Sequence, residues 1–470
     1  MIQPETLSFD CIVDGEAVTG ARLDVVNPAT GLVFASCSVA DGALVDRAVA
    51  GAARAQRDWA ASGLDERRAL FVRIADAIQA DAASFARLLV LEQGKVAREA
   101  ADEVAYTVDV FRLYADMELS VLERLFEERH PNHIRIRRPL GVVAGIVPWN
   151  YPLMIVAMKI APALLTGNAI VIKPSPTTPL ATLHLGRLCA GIIPPGLVQF
   201  LADDGPVGAM LTRHPDIRKI AFTGSTVTGK RVMEAAGGTL KRITLELGGN
   251  DPAIILADAD IATTAAGVHA GIFTNAGQIC GAVKRVYVHD SIYDDFCREL
   301  GRLTAANVVG DGLDPATTIG PVQNRMQFEK AMRLYEAATA DGKVVASAAV
   351  PRGSGFFVPP TLFDGLADDH ALVGEEQFAP IVPLMRYSDV DDAVRRANDS
   401  PYGLTASVWS ADHDGAVAVA CRLEASAICI NTHNTPPEDV GLSLAKQSGT
   451  GWLLGEEGML EYLETFTVFP

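Results

Sequence analysis

Cys280 stands in the stretch TNAGQICGAVKR, residues 274–285, where most of its close neighbours are small or polar. A structural cysteine behaves as a small hydrophobe and usually packs among apolar side chains. Here the glycines leave room for another molecule to approach the sulfur, and the amides of Asn275 and Gln278 can donate hydrogen bonds to a group that forms on it. The stretch therefore predicts a nucleophilic thiol.

Two further side chains are candidates for catalysis. Glu246 lies between two leucines in TLELGGN, and because desolvation disfavours a charged carboxylate, such a residue suits a general base. A buried glutamate that is paired for structural reasons is an equal alternative at this point. Asn150, in PWNYP at residues 148–152, follows a rigid proline and can donate its amide hydrogens to an oxyanion.

Two other segments suggest a place for a phosphate-bearing ligand. FTGSTVTGK, residues 222–230, joins an apolar strand to a helix, and Gly224 and Gly229 permit a tight turn and close approach to the free N–H groups of the helix start. The same turn is also an ordinary helix N-cap. Lys173, in VIKPSP, ends another apolar strand where open α/β sheets bind ligands, although a lysine there can equally be solvated.

The bulk composition narrows the class of protein. A chain of 470 residues is too long for one simple core, and 49% hydrophobic with 21% charged residues is ordinary for a globular protein. A net charge of -17 argues against a general binder of nucleic acid or of anionic membranes. The seven cysteines show neither disulfide-scaffold nor zinc-site spacing, so we expect no metal and a reducing, cytoplasmic location.

Two stretches bear on membrane targeting. The N-terminal MIQPETLSFD has neither a positive start nor an apolar core, so we expect no signal peptide. Residues 141–172 are long and apolar, but prolines, Asn150 and Lys159 interrupt them. We therefore expect buried strand, loop, helix and strand there rather than a membrane span.

Hydrophobic periodicity predicts the elements that must position these residues. Apolar residues at three- and four-residue spacing indicate amphipathic helices in the first 120 residues. From 140 to 258, apolar strands alternate with helical segments, which indicates a parallel sheet covered on both faces, and a second alternating set follows. We expect two α/β domains that meet near residue 248, and a projecting arm at 121–139 whose second half alternates isoleucine with basic residues.

Taken together, the segments resemble the motifs of the aldehyde dehydrogenase superfamily, in that family's order: PWN, the lysine of KPS, FTGSTxxG, LELGG, GQxC, EEQFxP and KQSG. The resemblance runs from about residue 20 to the C-terminus. It implies an α/β, aldehyde dehydrogenase-like fold with two open parallel-sheet domains and a small β oligomerisation arm. The implied domains are 1–120 with 140–248 for the dinucleotide, 249–445 for catalysis, and 121–139 with 446–470 for the arm and C-terminal segment.

The resemblance implies that Cys280 attacks the aldehyde carbon as a thiolate, while Asn150 and the Cys280 N–H hold the oxyanion. A hydride then passes to a nicotinamide, a thioester remains on the sulfur, and Glu246 activates the water that hydrolyses it to a carboxylic acid. Lys159, in MKIAP, is implied as a proton relay, and its alternative is a plain helix lysine.

The implied cofactor is NAD, with NADP as an alternative. The resemblance puts Lys173 on the adenosine ribose, Ser225 near the pyrophosphate and Glu376 on the nicotinamide ribose. The implied cofactor-binding residues are Trp149, Lys173, Ser175, Pro176, Gly224, Ser225, Gly229, Leu247, Gly248, Glu376 and Phe378. Many NAD-preferring members carry an acidic residue where this chain has Pro176, so we expect weak discrimination between NAD and NADP, with NAD ahead because no arginine stands near KPSPTTPL.

The implied substrate pocket carries little charge. Its implied wall residues are Tyr151, Ile155, Met158, Ile279, Gly281, His433 and Leu442. Leu442 stands where relatives have a large aromatic residue that lines the aldehyde channel. The pocket favours a neutral, fairly apolar aldehyde over a dicarboxylic semialdehyde, which would need an arginine clamp.

Two other functions stay open. A CoA-acylating dehydrogenase would resolve the thioester with a thiol, but such relatives generally lack the glutamate that stands here as Glu246. A non-catalytic relative would keep the fold alone. The expected partners are a small aldehyde and copies of the same chain, as a homodimer or homotetramer, but neither nucleic acid nor membrane, and the alternating arm strand needs a partner for its exposed edge.

Overall fold

The computed structural model describes residues 7–434 and 439–469. Residues 1–6, 435–438 and 470, which belong to the predicted domains and to the N-terminal stretch discussed above, lie outside the described residues.

The first half of the chain supplies most strands of one large sheet, all strands of a separate three-stranded sheet, two strands of the arm and a set of helices. Its strands are β1 (Leu7–Phe9), β2 (Cys11–Val13), β3 (Glu16–Val18), β4 (Arg22–Asn27), β5 (Leu32–Ser38), β6 (Glu127–His130), β7 (His133–Pro139), β8 (Val142–Ile146), β9 (Ala169–Lys173), β10 (Val198–Phe200), β11 (Ile217–Thr223) and β12 (Arg242–Glu246). Its helices are α1 (Gly42–Ala60), α2 (Leu64–Ala80), α3 (Ala82–Gln93), α4 (Ala97–Asp116), α5 (Leu119–Phe126), α6 (Met154–Leu165), α7 (Leu180–Cys189), α8 (Val207–Arg213) and α9 (Thr226–Gly237).

The second half repeats the alternation. Its strands are β13 (Asp251–Ile255), β14 (Val283–His289), β15 (Lys343–Ser347), β16 (Thr361–Asp364), β17 (Ile381–Tyr387), β18 (Tyr402–Gly403), β19 (Thr405–Trp409), β20 (Ala427–Ile430), β21 (Leu442–Ser443), β22 (Ala445–Lys446), β23 (Gly449–Thr450), β24 (Trp452–Leu453) and β25 (Leu463–Val468). Its helices are α10 (Ile261–Phe273), α11 (Tyr293–Ala305), α12 (Arg325–Asp341), α13 (Ala371–Gly374), α14 (Val390–Asn398), α15 (His413–Ala420) and α16 (Gly455–Leu460), with short 3₁₀ turns at Thr274–Gly277 and Asp290–Ile292.

Two parallel-containing sheets confirm the predicted α/β class. The first has the strand order β23-β12-β11-β8-β9-β10-β2-β3 and is parallel from β12 to β10. The second has the order β15-β16-β17-β14-β13-β19-β20 and is parallel except at β15. Strands β8 and β9 are buried throughout, as strands covered on both faces must be.

The second sheet separates two apolar cores. Ile254 belongs to one core, whereas Ala253 and Ile255, its neighbours in β13, belong to the other. Successive side chains of a strand point to opposite faces, so both faces of this sheet are packed. Such packing holds the ends of its strands in fixed positions, and functional side chains emerge at those ends.

The arm is a three-stranded antiparallel sheet in the order β25-β7-β6. The first part of the predicted arm, residues 121–126, is helical, because it forms most of α5. The segment 446–470 also does more than complete the arm, since its strand β23 joins the edge of the first sheet, where Gly449 pairs with Glu246. Among the described residues, no helix is long and apolar enough to cross a membrane.

Gly449 permits the pairing of β23 with β12. Its φ is +150°, and an added Cβ would overlap the carbonyl oxygen of Leu245. Gly353 has nearly the same φ, +149°, with no heavy atom within 4 Å of the position of a Cβ. A side chain at either glycine would strain the backbone, but only at Gly449 would it also overlap neighbouring atoms.

We expect Gly449→Ala to lower the free energy of unfolding by on the order of 1–3 kcal/mol more than Gly353→Ala does, because only the first forces atoms into a packed strand. Urea denaturation of the two variants measures the difference. Equal losses would mean that β23 moves away from β12 without cost.

Candidate active site

The thiol of Cys280 contacts the carboxylate of Glu246, and the two residues belong to the regions of different sheets. The Sγ atom donates a hydrogen bond to Oε1 over 3.3 Å. Glu246 is the last residue of β12 in the first sheet, whereas Cys280 lies in the loop that leads into β14 of the second. Neither sheet alone contains the pair.

The environment keeps this thiol protonated. Burial raises the pKa of Cys280 well above its usual value, and the Glu246 carboxylate raises it further, while Lys284 opposes both effects. A neutral thiol is a poor nucleophile, so a nearby group must accept its proton before it attacks. Glu246 is already in hydrogen-bond contact and can fill that role.

The second oxygen of Glu246 faces away from the sulfur. Its Oε2 accepts a hydrogen bond of 2.9 Å from the hydroxyl of Thr223, and that hydroxyl accepts one of 2.8 Å from Nζ of Lys159. Burial lowers the pKa of Lys159 to about 8, and Glu246 offsets part of that shift. Lys159 thus contacts the general-base candidate through a threonine.

A strained turn aims Cys280. The preceding residues Asn275, Ala276 and Gly277 all have positive φ, at 52°, 55° and 73°. Two non-glycine residues in this conformation cost of order 1–3 kcal/mol each and persist only where the surroundings hold them. Lys284 holds the residues that follow the turn, because its Nζ donates hydrogen bonds to the carbonyls of Ile279, at 3.0 Å, and of Cys280.

Helix α4 and Lys95, which lies two residues before the helix begins, hold the turn from the other side. The carboxylate of Glu99 accepts the N–H of Asn275 over 3.0 Å. Lys95 is completely buried in an ion pair with Glu103, and its Nζ donates to the carbonyl of Asn150 over 3.1 Å. Glu103 also accepts the N–H of Leu153 at 2.9 Å, so it fixes the loop that carries Asn150.

Asn150 therefore has a fixed orientation beside the thiol. Its carbonyl also accepts a hydrogen bond of 3.0 Å from the side chain of Asn275, and its own amide donates to the carbonyl of Gln278 over 3.0 Å. An amide nitrogen carries two hydrogens, and Asn150 lines the cavity that contains Cys280. The arrangement can supply a donor to an oxyanion formed there.

The cavity over the thiol has a volume of about 440 Å³. Its described lining includes neither lysine nor arginine. The predicted wall residues Tyr151, Ile155, Met158, Ile279 and Leu442 line it, together with Tyr106, Asn150, Met154, Glu246, Cys280, Leu404, Thr405, Ser426, Ala427, Asn434, Leu444, Leu453 and Leu454. Such a lining suits an uncharged, largely apolar ligand.

Two predicted wall residues are absent from this lining. His433 is buried and bonds through Nε2 to the carbonyl of Gly281 at 2.8 Å and through Nδ1 to the hydroxyl of Ser407 at 2.9 Å. Burial lowers the pKa of His433 to about 4, so its ring is neutral at physiological pH. His433 and Gly281 thus stabilise the loop that carries Cys280, and they lie outside the cavity lining.

The predicted cofactor residues gather at the carboxyl ends of the first sheet. Lys173 is the last residue of β9, and Gly224 comes directly after β11. These two strands flank β8 in the sheet. Ser225 caps α9 by accepting the N–H of Thr228 over 3.3 Å, so the alternative of an N-cap is also realised. Gly229 leaves space for Leu247 against this helix.

The remaining cofactor candidates include Glu376 with Gly248, two aromatic residues, and the neighbours of Lys173. Glu376 accepts the N–H of Gly249 at 3.0 Å, and an added Cβ on Gly248 would lie 2.5 Å from its other oxygen. The rings of Trp149 and Phe378 meet edge to face, with centroids 5.3 Å apart. Ser175 is buried and Pro176 is half-buried beside Lys173.

Lys173 has a partner that the sequence did not indicate. Its Nζ lies 2.7 Å from the carboxylate of Asp203, which is completely buried and whose other oxygen accepts the N–H of Val207 at 2.9 Å. The only sequence signal was the ADDGP that follows β10. Thr223 and Lys95 were likewise missed, because each acts through a contact distant in sequence. Lys284 was also missed, although the carbonyls that it contacts, those of Ile279 and Cys280, are close in sequence.

These residues fit a dinucleotide. The turn at Gly224 and the start of α9 offer N–H groups to a pyrophosphate, and carboxylate and ammonium groups flank them for ribose hydroxyls. Among the described residues, no group of three histidine, cysteine or acidic side chains could hold a metal ion.

Comparison with known proteins gives a consistent result. A family model described as the aldehyde dehydrogenase family matches residues 14–468. The chain is 36% identical to a betaine aldehyde dehydrogenase of Rhizobium leguminosarum bv. trifolii (strain WSM2304), over 99% of this chain and 97% of that protein. It is 38% identical to retinal dehydrogenase 2 of Homo sapiens, over 96% and 89%. An NAD+ complex of an aldehyde dehydrogenase from Bacillus cereus superposes with a TM-score of 0.94 at 34% identity, covering 98% and 96% of the two chains.

Proposed function

The chain belongs to the aldehyde dehydrogenase family, and on this premise we propose that it oxidises a neutral, largely apolar aldehyde to its carboxylic acid through a thioester on Cys280. The observation that carries the proposal is the 3.3 Å contact between the Cys280 thiol and the Glu246 carboxylate on the wall of a mostly apolar cavity. A nucleophile, a base and a binding cavity thereby meet at one point.

In the first step Glu246 Oε1 accepts the thiol proton while the sulfur bonds to the aldehyde carbon. The carbonyl electron pair moves to oxygen, and the amide of Asn150 and the Cys280 N–H stabilise the resulting oxyanion. NAD, when bound, supplies the acceptor for the hydride that leaves this carbon. Glu376 and Lys173 would hold its ribose hydroxyls, and the turn at Ser225 its pyrophosphate.

In the second step Glu246 removes a proton from water as the water oxygen bonds to the thioester carbon and the sulfur leaves. Because the same carboxylate also took the thiol proton, Glu246 works twice in each turnover. This second role is the one that a CoA-acylating enzyme would not need, so the Glu246–Cys280 contact favours hydrolysis over transfer to a thiol. It also gives no support to a non-catalytic relative.

The choice between NAD and NADP involves Asp203. Pro176 supplies no charge, but Asp203 neutralises Lys173 and adds a carboxylate beside the site proposed for the adenosine ribose. A 2′-phosphate there would meet this carboxylate without an uncompensated cation. We therefore propose a clear preference for NAD, stronger than Pro176 alone predicts.

We further propose a homodimer or homotetramer in the cytoplasm. The arm exposes apolar side chains, Phe466 and Val468 on β25 and Phe469 after it, of a kind that a partner subunit covers. All seven cysteines are free, as a reducing compartment requires. Light scattering that reports a monomer of about 50 kDa would contradict the assembly.

The apolar cavity predicts the substrate class. With NAD, we expect kcat/KM for an uncharged apolar aldehyde to exceed that for a dicarboxylic semialdehyde of similar length by tenfold or more, roughly the discrimination expected when no arginine clamps the second carboxylate. Absorbance of the reduced cofactor measures both. A preference for the semialdehyde would overturn the proposed class while leaving aldehyde oxidation intact.

The double role of Glu246 predicts a split between burst and turnover. We expect Cys280→Ala to abolish both, whereas Glu246→Gln should retain a stoichiometric but slower burst of reduced cofactor and lose steady turnover by on the order of 10² to 10⁴. Rapid-mixing absorbance separates the two phases. Full turnover of Glu246→Gln would reduce Glu246 to a structural carboxylate.

The Lys173–Asp203 pair predicts the cofactor preference. Asp203→Asn keeps an acceptor for the N–H of Val207 but removes the charge, so NADPH should bind on the order of tenfold more tightly while NADH changes little. Fluorescence titration without aldehyde measures both affinities, and Asp204→Asn, at the exposed neighbour, is the matched control. Unchanged NADPH affinity in Asp203→Asn would remove Asp203 from cofactor selection.

A further inference from the structure

One face of the paired strands β11 and β12 carries a line of polar side chains through an apolar core. Thr223 pairs with Glu246, and Ala221 pairs with Thr244 two residues earlier. Lys219, two residues before Ala221, is on the same face because alternate residues of a strand share a side. Lys219, Thr223 and Thr244 are buried, with Lys219 at 0% exposure.

The outer end of this line reaches the surface. Nζ of Lys219 donates to the hydroxyl of Thr244 over 2.6 Å, and that hydroxyl donates to Oε2 of Glu461 over 3.4 Å. Lys219 also lies 3.6 Å from Glu461, whose side chain is 24% exposed. Glu461 thus connects a completely buried lysine to solvent.

The inner end is the contact already described, in which Lys159 donates to Thr223 and Thr223 donates to Glu246. Lys159 and Lys219 resemble each other, since burial lowers the pKa of both to about 8. Glu246 offsets the shift at Lys159, whereas at Lys219 Glu461 offsets it and the charges of Lys159 and Arg242 add to it. Both amines can therefore gain and lose protons near neutral pH.

A small cavity joins the two ends. It has a volume of about 20 Å³, and Lys159, Thr244 and Glu246 line it, with Ala221 beneath. This volume holds one water molecule, and the three polar groups give it the partners it needs. The small side chain of Ala221 leaves the space that separates the inner contacts from the outer ones.

Glu246 faces this small cavity and the substrate cavity at once. Both are lined by Ile155, Met158, Leu453 and Leu454, and Glu246 is the one polar residue among the described residues that they share. A bound aldehyde fills the substrate side. A proton on Glu246 can therefore leave through the small cavity while substrate or product occupies the other one.

The proposed function creates a need for such a route. Glu246 accepts the proton of the Cys280 thiol and must release it before it can accept another from water. We propose that the line Glu246–Thr223–Lys159, a water in the small cavity, and Thr244–Lys219–Glu461 carries this proton to solvent.

The transfer balances at every group. Lys159 gives an N–H proton to the cavity water and takes one from the Thr223 hydroxyl. The carboxyl group of Glu246, protonated on Oε1 by the thiol, rotates so that this proton faces Thr223, and the Thr223 oxygen takes it. The water passes a proton to the Thr244 hydroxyl, whose own proton goes to the Glu461 carboxylate, while Lys219 holds Thr244 and Glu461 in place. Glu461 then releases the proton to bulk water, and every other group ends with its original number of protons.

The test rests on the order of the two steps. The burst needs only the first proton acceptance by Glu246, whereas steady turnover needs the release. Glu461→Gln and Thr244→Val should therefore lower steady-state kcat by on the order of tenfold while the burst keeps its rate and amplitude within about twofold. Thr244→Ser, which restores the hydroxyl, should recover most of the turnover, and Glu456→Gln, at an exposed acid of α16, is the matched control.

Three outcomes would overturn the route. Turnover of Glu461→Gln and Thr244→Val within twofold of the unmodified enzyme would show that the proton leaves elsewhere. Equal losses of burst and turnover would assign these residues a structural role, as would the same loss in Glu456→Gln. The unmodified enzyme, measured in the same runs, tests aldehyde oxidation itself, so a failure of the proposed function is distinguishable from a failure of the route.

Discussion

Glu246 uses its two carboxylate oxygens in opposite directions, Oε1 toward the thiol of Cys280 and Oε2 toward the hydroxyl of Thr223. A charged carboxylate in an apolar core is unfavourable unless hydrogen bonds satisfy it. The first sheet supplies Glu246 and Thr223 on paired strands, while the second supplies Cys280. The two sheets must therefore be held in one relative position for the site to exist.

The surroundings of Cys280 show how its position relative to Glu246 is maintained. The left-handed turn before it is unfavourable by itself, and hydrogen bonds from Asn275 to Glu99 and to Asn150 hold it, while Lys284 binds the carbonyls that follow the turn. The ion pair of Lys95 and Glu103 is completely buried, which is favourable only with further hydrogen bonds, and the loop of Asn150 supplies them. These interactions orient Cys280 and Asn150 at a cost in folding free energy, as expected where the geometry of the reacting groups determines the rate.

The sequence predicted the parallel α/β sheets because buried parallel strands give continuous apolar runs separated by helices. It also indicated Cys280, Glu246 and Asn150, whose local contexts are unusual for structural residues. It did not indicate Asp203 or Lys219, because each depends on a partner far along the chain, such as Glu461 for Lys219. It also missed Lys284, since a lysine in β14 gives no sign that its Nζ turns back to the carbonyls of Ile279 and Cys280. His433 was placed in the pocket wall from its position alone, but its two hydrogen bonds turn it behind the cysteine loop.

The central claim is that the substrate becomes an acyl group on Cys280 and that Glu246 removes it. Mass spectrometry of enzyme quenched in acid during turnover measures this directly on the peptide that contains Cys280. We predict a mass increase equal to one acyl group on Cys280, with greater occupancy in Glu246→Gln than in the unmodified enzyme. An unmodified Cys280 in both proteins under steady oxidation of aldehyde would contradict the account.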